Sequence, residues 1–526
     1  MIYTKLNLKK KLKMKTKRKL MLLTLIIAHF MIFLDSSILP VALPTIQRLF
    51  HSSMEQLQWM INSYLLAIAI LAALSGKISD IFGHRKIFLL SLVVFGFFSF
   101  LCAISQDNLQ LIISRFCQGI GAALMVSSAL PLIVECFEEK IRGKIIGIIV
   151  SAASLGFTMG PLVGGFFSQY LSWHYIFLIN IPIAIIGVIV GFISIPKSIK
   201  LNEKIDFKGA ISFIIAVSCL TIALMQGKTF GWGSLTTILL FFFFVCFALI
   251  LYFSDKKAKH PFIDFSIFKN VTFLCALIAL CTISIARIMA MYWVIYFQNV
   301  LEFTPTYAGI LEMISAIPML FFSAYVGKFC DKYGSRRSII TGQIVTILSF
   351  LLLIFCLPRG NIILLSISLL FFGVGVVFIK IASFSSGLSS VSSNKRGIAG
   401  GLLNSFNNLG SSFGVAVLGA VFLNSQFKFF TSNLKKNPDT QNIDPNVFEG
   451  LLSKTTKALN ALKTLPSSIQ AEIKTAMKTS YSYGINLSNL IAAFIIALAL
   501  FVIFYLFKPK KKKEKIPYKK KPKDQV

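Results

Sequence analysis

The chain has 526 residues, of which 56% are hydrophobic and 51 are Phe, with a mean hydropathy of +0.77. Soluble domains sit near about 45–50% apolar, so the composition sets this chain apart from ordinary soluble enzymes and binding modules. The net charge of +33 raises nucleic acid as a partner, but the placement of the charge argues against it: nine basic residues lie in the first 19 positions and ten lie after Phe507. Such flanks read as anchors on anionic lipid.

Fourteen apolar stretches follow in order, at 20–40, 57–75, 87–104, 109–134, 144–168, 174–195, 209–227, 234–253, 271–297, 307–326, 338–357, 361–382, 398–424 and 485–507. A hydrocarbon core about 30 Å thick needs about 20 helical residues, so the expected class is an all-α polytopic membrane protein. The first stretch follows a basic segment, as a signal peptide does. It runs on through Asp35 to Pro40 with no A-x-A pattern, so it is expected to be retained. The nine cysteines lie scattered, mostly in apolar runs, with no metal-type spacing. Neither a disulfide nor a metal site is expected.

An even number of spans puts both tails on one side. The loops at 76–86, 135–144, 196–208, 254–270, 327–337 and 383–397 carry 3, 3, 4, 4, 4 and 2 Lys/Arg, while the short loops of the other face hold only Arg48, Lys228 and Arg359. The positive-inside rule then makes both tails cytosolic. The exception is 425–484, with eight lysines; long segments translocate largely regardless of charge. Its stretch PNVFEGLLSKTTKALNALKTL has helical spacing, which predicts a small external helical element.

Two segments recur. GKISDIFGHRK (Gly76–Lys86) returns as GKFCDKYGSRR (Gly327–Arg337) after 251 residues, and Arg142, Gly143, Gly156 and Gly160 align with Arg396, Gly397, Gly410 and Gly414 at an offset of 254. The chain therefore reads as duplicated halves: a basic tail at 1–19, a six-helix half at 20–195, two additional spans with cytosolic linkers at 196–270, a second six-helix half at 271–507 that contains the external loop 425–484, and a basic tail at 508–526. Parallel duplication of six-span units is a transporter architecture with its site between the halves.

The repeated loop G-x-x-x-D-x-x-G-x-[RK]-[RK] resembles the signature of the major facilitator superfamily. Its residues here are Gly76, Asp80, Gly83 and Arg85, and again Gly327, Asp331, Gly334 and Arg336. LDSSILPVALP (Leu34–Pro44), QWMINSYLLAIAIL (Gln58–Leu71) and RFCQGIGAA (Arg115–Ala123) are similar to motifs of spans 1, 2 and 4 in its fourteen-span drug:proton antiporter family. Gly156, Gly160, Pro161, Gly164 and Gly165 resemble the antiporter motif of span 5. SWHYIFLINIP (Ser172–Pro182) and HPFIDFSIFKN (His260–Asn270) are also similar to that family. The resemblance implies the major facilitator fold, loops that latch a cytosolic gate, and a kinked span 5 that seals that side in exporters. The second half has Val415 opposite Pro161, so the kink is expected on one side only. Read physically, the same glycines also give a close-packing face.

Ionisable residues inside spans are functional hypotheses by default. Asp35 and Arg115 each fall roughly 8–9 Å from the outer edge at 1.5 Å per residue and can pair. Asp35 is the candidate proton carrier and Arg115 its modulator; a static structural pair is the alternative. Arg287 and Glu312 form a second candidate pair, Glu312 as a second proton site or a contact for a cationic substrate, Arg287 as a cavity residue. His29 reads better as a packing histidine than as a relay. Tyr64 and Gln118 are candidate cavity residues, with Asn404, Asn407 and Asn408 on one helical face; for the asparagines interhelical hydrogen bonding is equally open. Trp59, Tyr292, Trp293 and Tyr296 read as an interfacial aromatic belt.

There is no G-x-x-x-x-G-K-[ST] motif, so energy is expected from a proton gradient, with no cofactor. The expected function is proton-coupled export of amphipathic organic compounds or drugs by alternating access. Export of one natural product, such as a siderophore, lipid or peptide, is the rival. A membrane-embedded enzyme is the reading from another class, disfavoured because the five histidines lie in five separate elements. The expected partners are small molecules, protons and the bilayer, not nucleic acid. The expected place is a bacterial plasma membrane, as a monomer, with a periplasmic adaptor as a candidate partner where an outer membrane exists.

Overall fold

Long apolar runs with few breakers fold as helices, because only internal hydrogen bonding satisfies a backbone in hydrocarbon. A computed structural model describes residues 2–196, 198, 206–257, 265–392, 396–434, 462 and 466–507. The first half comprises α1 (Ile2–Phe50), α2 (Met54–Phe82), α3 (His84–Ala103), α4 (Asn108–Cys136), α5 (Glu139–Tyr170), α6 (Tyr175–Leu178) and α7 (Asn180–Ser194). A hairpin of α8 (Phe207–Phe230) and α9 (Leu235–Lys257) follows. The second half comprises α10 (Val271–Arg287), α11 (Met289–Asn299), α12 (Pro305–Phe321), α13 (Ser323–Tyr333), α14 (Ser335–Cys356), α15 (Ile362–Ser389), α16 (Arg396–Leu434) and α17 (Ser467–Leu506).

Among the described residues, 11 helices are long and apolar enough to cross a membrane, or 12 if α12 and α13, bent by 53°, form one span. These do not include α2 and α8, where the sequence places spans 2 and 7. The large apolar side chains of α9, among them Phe242, Val245, Leu249 and Phe253, are exposed, as a lipid-facing surface requires. The hairpin docks over the seam between the halves: Phe213 and Val217 of α8 cluster with Ile70 of α2 and Leu402 and Leu403 of α16.

Three predicted spans are broken. Span 6 breaks at Ile179 because Pro182, in the first turn of α7, clashes with the carbonyl four residues back. Span 10 bends one turn after Pro318. Span 9 breaks at Ile288, next to Arg287. Helices also run further than the apolar pattern. α16 continues to Leu434 and α17 begins at Ser467, so both ends of the predicted loop 425–484 are helical. The helical stretch expected at 445–465 lies outside the described residues, Leu462 excepted. The aromatic belt needs correction: Tyr292, Trp293 and Tyr296 are buried. Trp293 Nε1 donates to Asn489 (3.0 Å) and the Tyr296 hydroxyl to the Leu357 carbonyl (3.2 Å).

The duplication is visible in the packing. Gly156 and Gly160 of α5 sit on the backbone of α1 at Phe30 and Leu34, and Gly410 and Gly414 of α16 sit on α10 at Cys281 and Ile285. A side chain at any of the four meets backbone that cannot yield. Gly83 and Gly334 both turn the chain at positive φ, 93° and 88°. The arginine two residues later then caps the last helix of its own half: Arg85 donates to the Phe192 carbonyl (2.7 Å), Arg336 to the Phe504 carbonyl (2.8 Å). Each guanidinium also lies 5.2 Å from the ring of that phenylalanine. A cation at a helix C-terminus is favourable.

The halves close on each other at the face opposite these arginines. Gly165 abuts Pro305 and Thr306, and Gly309 abuts the Pro161 carbonyl. Gln298 donates to the Val41 carbonyl (2.9 Å), and Thr306 N–H to Gln169 (3.1 Å). On the arginine-bearing face the repeated loops are loosely packed: among the described residues nothing lies within 4 Å of a Cβ at Gly76 or Gly327, and Asp331 is exposed. The side chain of Asp80 lies outside the described residues.

Gly156→Leu is expected to cost about 1–3 kcal/mol, as overpacking does. Gly147→Leu, on the same helix with open space around it, is expected to be neutral. Thermal unfolding of the purified protein in detergent compares them; equal melting temperatures would refute the packing role.

Candidate functional site

Five of the first half's transmembrane segments converge on Asp35 in α1. Its carboxylate is 1% exposed and takes three donors. Arg115 Nη1 of α4 reaches Oδ2 at 2.6 Å, while Gln118 Nε2 of α4 and Asn180 Nδ2 of α7 reach Oδ1 at 3.0 and 2.8 Å. Ser99 of α3 accepts from both amides and passes its own proton to the Phe177 carbonyl (2.9 Å). Arg115 also donates to Gln118 Oε1 (2.7 Å) and to the Met60 carbonyl of α2 (3.4 Å). Its guanidinium stacks 4.1 Å from the ring of Tyr64. Low local dielectric strengthens such a network and makes each loss from it costly.

Asp35 and Arg115, legible as a candidate pair, are thus an ion pair. Tyr64 and Gln118, expected to line a cavity, are instead buried inside this cluster. Asn180 and Ser99 were not singled out; Asn180 lies within SWHYIFLINIP, the only hint in the sequence. His29 bonds its own turn, Nδ1 lying 2.9 Å from the Leu25 carbonyl, as a packing histidine does.

The second group is built differently. Arg287, at the end of α10, and Glu312 of α12 interact electrostatically but form no ion pair within 4.0 Å. Glu312 accepts from Ser315 Oγ at 3.0 Å through Oε1, and its buried Oε2 has no partner. The Arg287 guanidinium lies 5.0 Å from the ring of Phe157 on α5, across the junction between the halves. Lys380 of α15 also lies within electrostatic reach of Arg287 and was not foreseen. Among the asparagines of α16, Asn407 accepts from Ser284 of α10 (2.8 Å) and Asn408 donates to the Asn404 carbonyl (2.9 Å). All three are half-buried; the Asn407 bond is interhelical, whereas the Asn408 bond stays within α16.

Residues 25–415 match the family model described as Major Facilitator Superfamily. The chain belongs to the major facilitator superfamily. It is therefore a membrane transporter and not an enzyme. It is 30% identical over 407 residues to "Multidrug resistance protein Stp" of Mycobacterium tuberculosis, covering 76% of this chain and 75% of that one. It is 28% identical over 425 residues to "Riboflavin transporter RibZ" of Clostridioides difficile, covering 78% and 91%. Among solved structures it is similar to a bacterial homologue of the human lysosomal transporter Spinster in an inward-facing, unoccupied conformation. The TM-score is 0.59 at 14% identity, over 94% of this chain and 99% of that one. The first half of this superfamily member is packed around a buried charge pair at Asp35.

Arg115→Met leaves the Asp35 carboxylate buried without its counter-ion and is expected to cost about 3–5 kcal/mol. Asp35→Asn combined with Arg115→Met is expected to recover part of that loss. A double-mutant cycle on thermal unfolding measures the coupling; strictly additive effects would sink the claim that the pair acts as a unit.

Proposed function

We propose that this transporter exports amphipathic organic compounds in exchange for protons, by alternating access. The observation that carries the reading is the Asp35 cluster. Its carboxylate is held by donors from two helices in a structure closed on the loop-bare face. Protonating Asp35 removes the charge that Arg115, Gln118 and Asn180 converge upon. Five segments of one half then lose their common tie, which gives the proton a way to bias one global state over another. Arg115 stays charged throughout and receives the carboxylate back when the proton leaves.

Several parts of the reading stand or fall with it. Fourteen spans are reached by counting α2 and α8 as crossings. Both tails are then cytosolic in a bacterial plasma membrane. The Gly83 and Gly334 turns and the α5 glycine face serve as gate elements. No cofactor is required, and the working unit is a monomer, with an adaptor protein where an outer membrane exists. The multidrug name of one relative supports broad cargo, and the riboflavin name of another supports a specific one. Broad cargo is favoured because the junction between the halves offers half-buried side chains rather than a closed, fully bonded pocket.

Transport of fluorescent amphipathic dyes, cationic, neutral and anionic, tests this in cells with and without a protonophore. Wild-type efflux is expected to collapse with the protonophore, and Asp35→Asn to show the background rate of cells lacking the protein. Protonophore-sensitive efflux that persists in Asp35→Asn would remove Asp35 from the coupling.

A further inference from the structure

The two intramembrane charge groups are in opposite states of completion. Around Asp35 and Arg115 each charge has its counter-charge and further hydrogen bonds. Around Arg287 this is not so. Arg287 lies within electrostatic reach of both the carboxyl group of Glu312 and the ammonium of Lys380, and no ion pair within 4.0 Å links any of the three. The Arg287 Nε and the Glu312 Oε2 are buried without hydrogen-bond partners, although Glu312 is only 8% exposed. Lys380 is half-buried and makes no hydrogen bond or ion pair among the described residues. An uncompensated charge within the bilayer is expensive, and such residues face a cavity or a ligand rather than lipid. A purely structural charge group closes on itself, as the Asp35 cluster does.

The position of the group fits a cargo site. Arg287 lies at the break between α10 and α11, and its guanidinium packs on Phe157 of the opposite half. Beside it Thr158 bonds the Ala316 carbonyl of α12 across the same junction (3.2 Å). The group therefore lies where the halves meet, at the end of the closed contacts that run from Thr306 to Ala316.

We infer that Arg287 and Lys380 form a binding site for the carboxylate of an amphipathic organic anion, with Glu312 as the neighbouring carboxyl group that offsets Arg287 while the site is empty. This deepens the exporter reading and rests on it. It also replaces the expectation that Glu312 receives a cationic substrate, since Arg287, its electrostatic neighbour, repels a cation. A guanidinium and an ammonium together suit a carboxylate, the first by paired parallel donors and the second as a mobile point charge. Phe157 supplies an apolar surface beside the charge for the rest of the molecule.

The test uses the full-length protein in lipid nanodiscs and two probes, 7-diethylaminocoumarin-3-carboxylate and its neutral ethyl ester, read by fluorescence polarisation. Wild type is expected to bind the carboxylate about ten-fold or more tightly than the ester, the worth of one charge-assisted contact. Arg287→Gln and Lys380→Gln are each expected to erase that preference while leaving ester binding in place, and Lys380→Arg to keep it. Equal binding of the two probes by wild type, or a preference that survives both Gln substitutions, would overturn the assignment. Should Arg287→Gln fail to fold, Lys380→Gln, at a half-buried position, decides alone. Dye transport driven by a pH gradient in proteoliposomes separates this proposal from the exporter reading. Transport without carboxylate preference removes the anion site and leaves the exporter; preference without any transport keeps the site and removes the exporter.

Discussion

A carboxylate and a guanidinium 2.6 Å apart, both almost wholly excluded from solvent, organise the first half of this transporter. Neither charge is tolerable alone at that depth, so every helix that reaches the pair must present a donor, an acceptor or an aromatic face. α3 presents Ser99, α4 presents Gln118, α7 presents Asn180, and α2 presents the Met60 carbonyl and the ring of Tyr64. Apolar association is weak in lipid, because tails are as apolar as leucine. A shared polar centre is one of the few forces that can set the relative positions of five segments. α5 is the segment left out. It is held to α1 by glycine contact instead.

The repeat explains how two halves of different sequence reach one frame. What is duplicated is the steric and terminal chemistry: glycines that let α5 lie on α1 and α16 on α10, turns at Gly83 and Gly334, and arginines that cap the closing helix of each half. Those features depend on backbone geometry and tolerate no bulk. The side chains between them are free to diverge, and they have. At the offset of 251 that relates Gly83 to Gly334, the position matching Asp35 is Ala286, beside Arg287. One half places an acid there and the other a base.

These differences also mark what the sequence could and could not disclose. Asp35, Arg115, Arg287 and Glu312 stand out because an ionisable group in an apolar run is rare at any register. Ser99 and Asn180 do not, because uncharged polar residues occur on many helix faces and nothing local says which face is the centre. Lys380 follows the same rule as Arg287, yet the apolar pattern ends the span at 382, where a lysine reaches the boundary by its own length. The helix runs on to Ser389, and that places Lys380 inside. The broken spans divide in the same way. Pro182 and Pro318 announce two of them, whereas the break at Ile288 has no proline and follows from the setting of Arg287. Tyr292, Trp293 and Tyr296 look interfacial by position but are buried by contacts between residues far apart in the chain: Trp293 bonds Asn489 of α17, and Tyr296 meets Ser482 where α17 extends beyond the apolar stretch.

The asymmetry of charge between the halves has a consequence for coupling. A rocking transporter must let the driving ion and the cargo act on one conformational equilibrium without competing for one set of atoms. Here the titratable carboxylate and its hydrogen bonds lie wholly within the first half, while Arg287, Glu312 and Lys380 belong to the second. The two groups are joined through the close contacts of α5, which rests on α1 through Gly156 and Gly160 and meets α12 through Pro161 and Gly309. A change at Asp35 alters the seat of α1, α5 follows because its glycines leave no slack, and the junction beside Arg287 is the next surface to move. Glycine contacts are suited to this, since backbone against backbone transmits a displacement that longer side chains absorb. On the proposed function, the motif that resembles a seal is also the lever between the proton and the cargo.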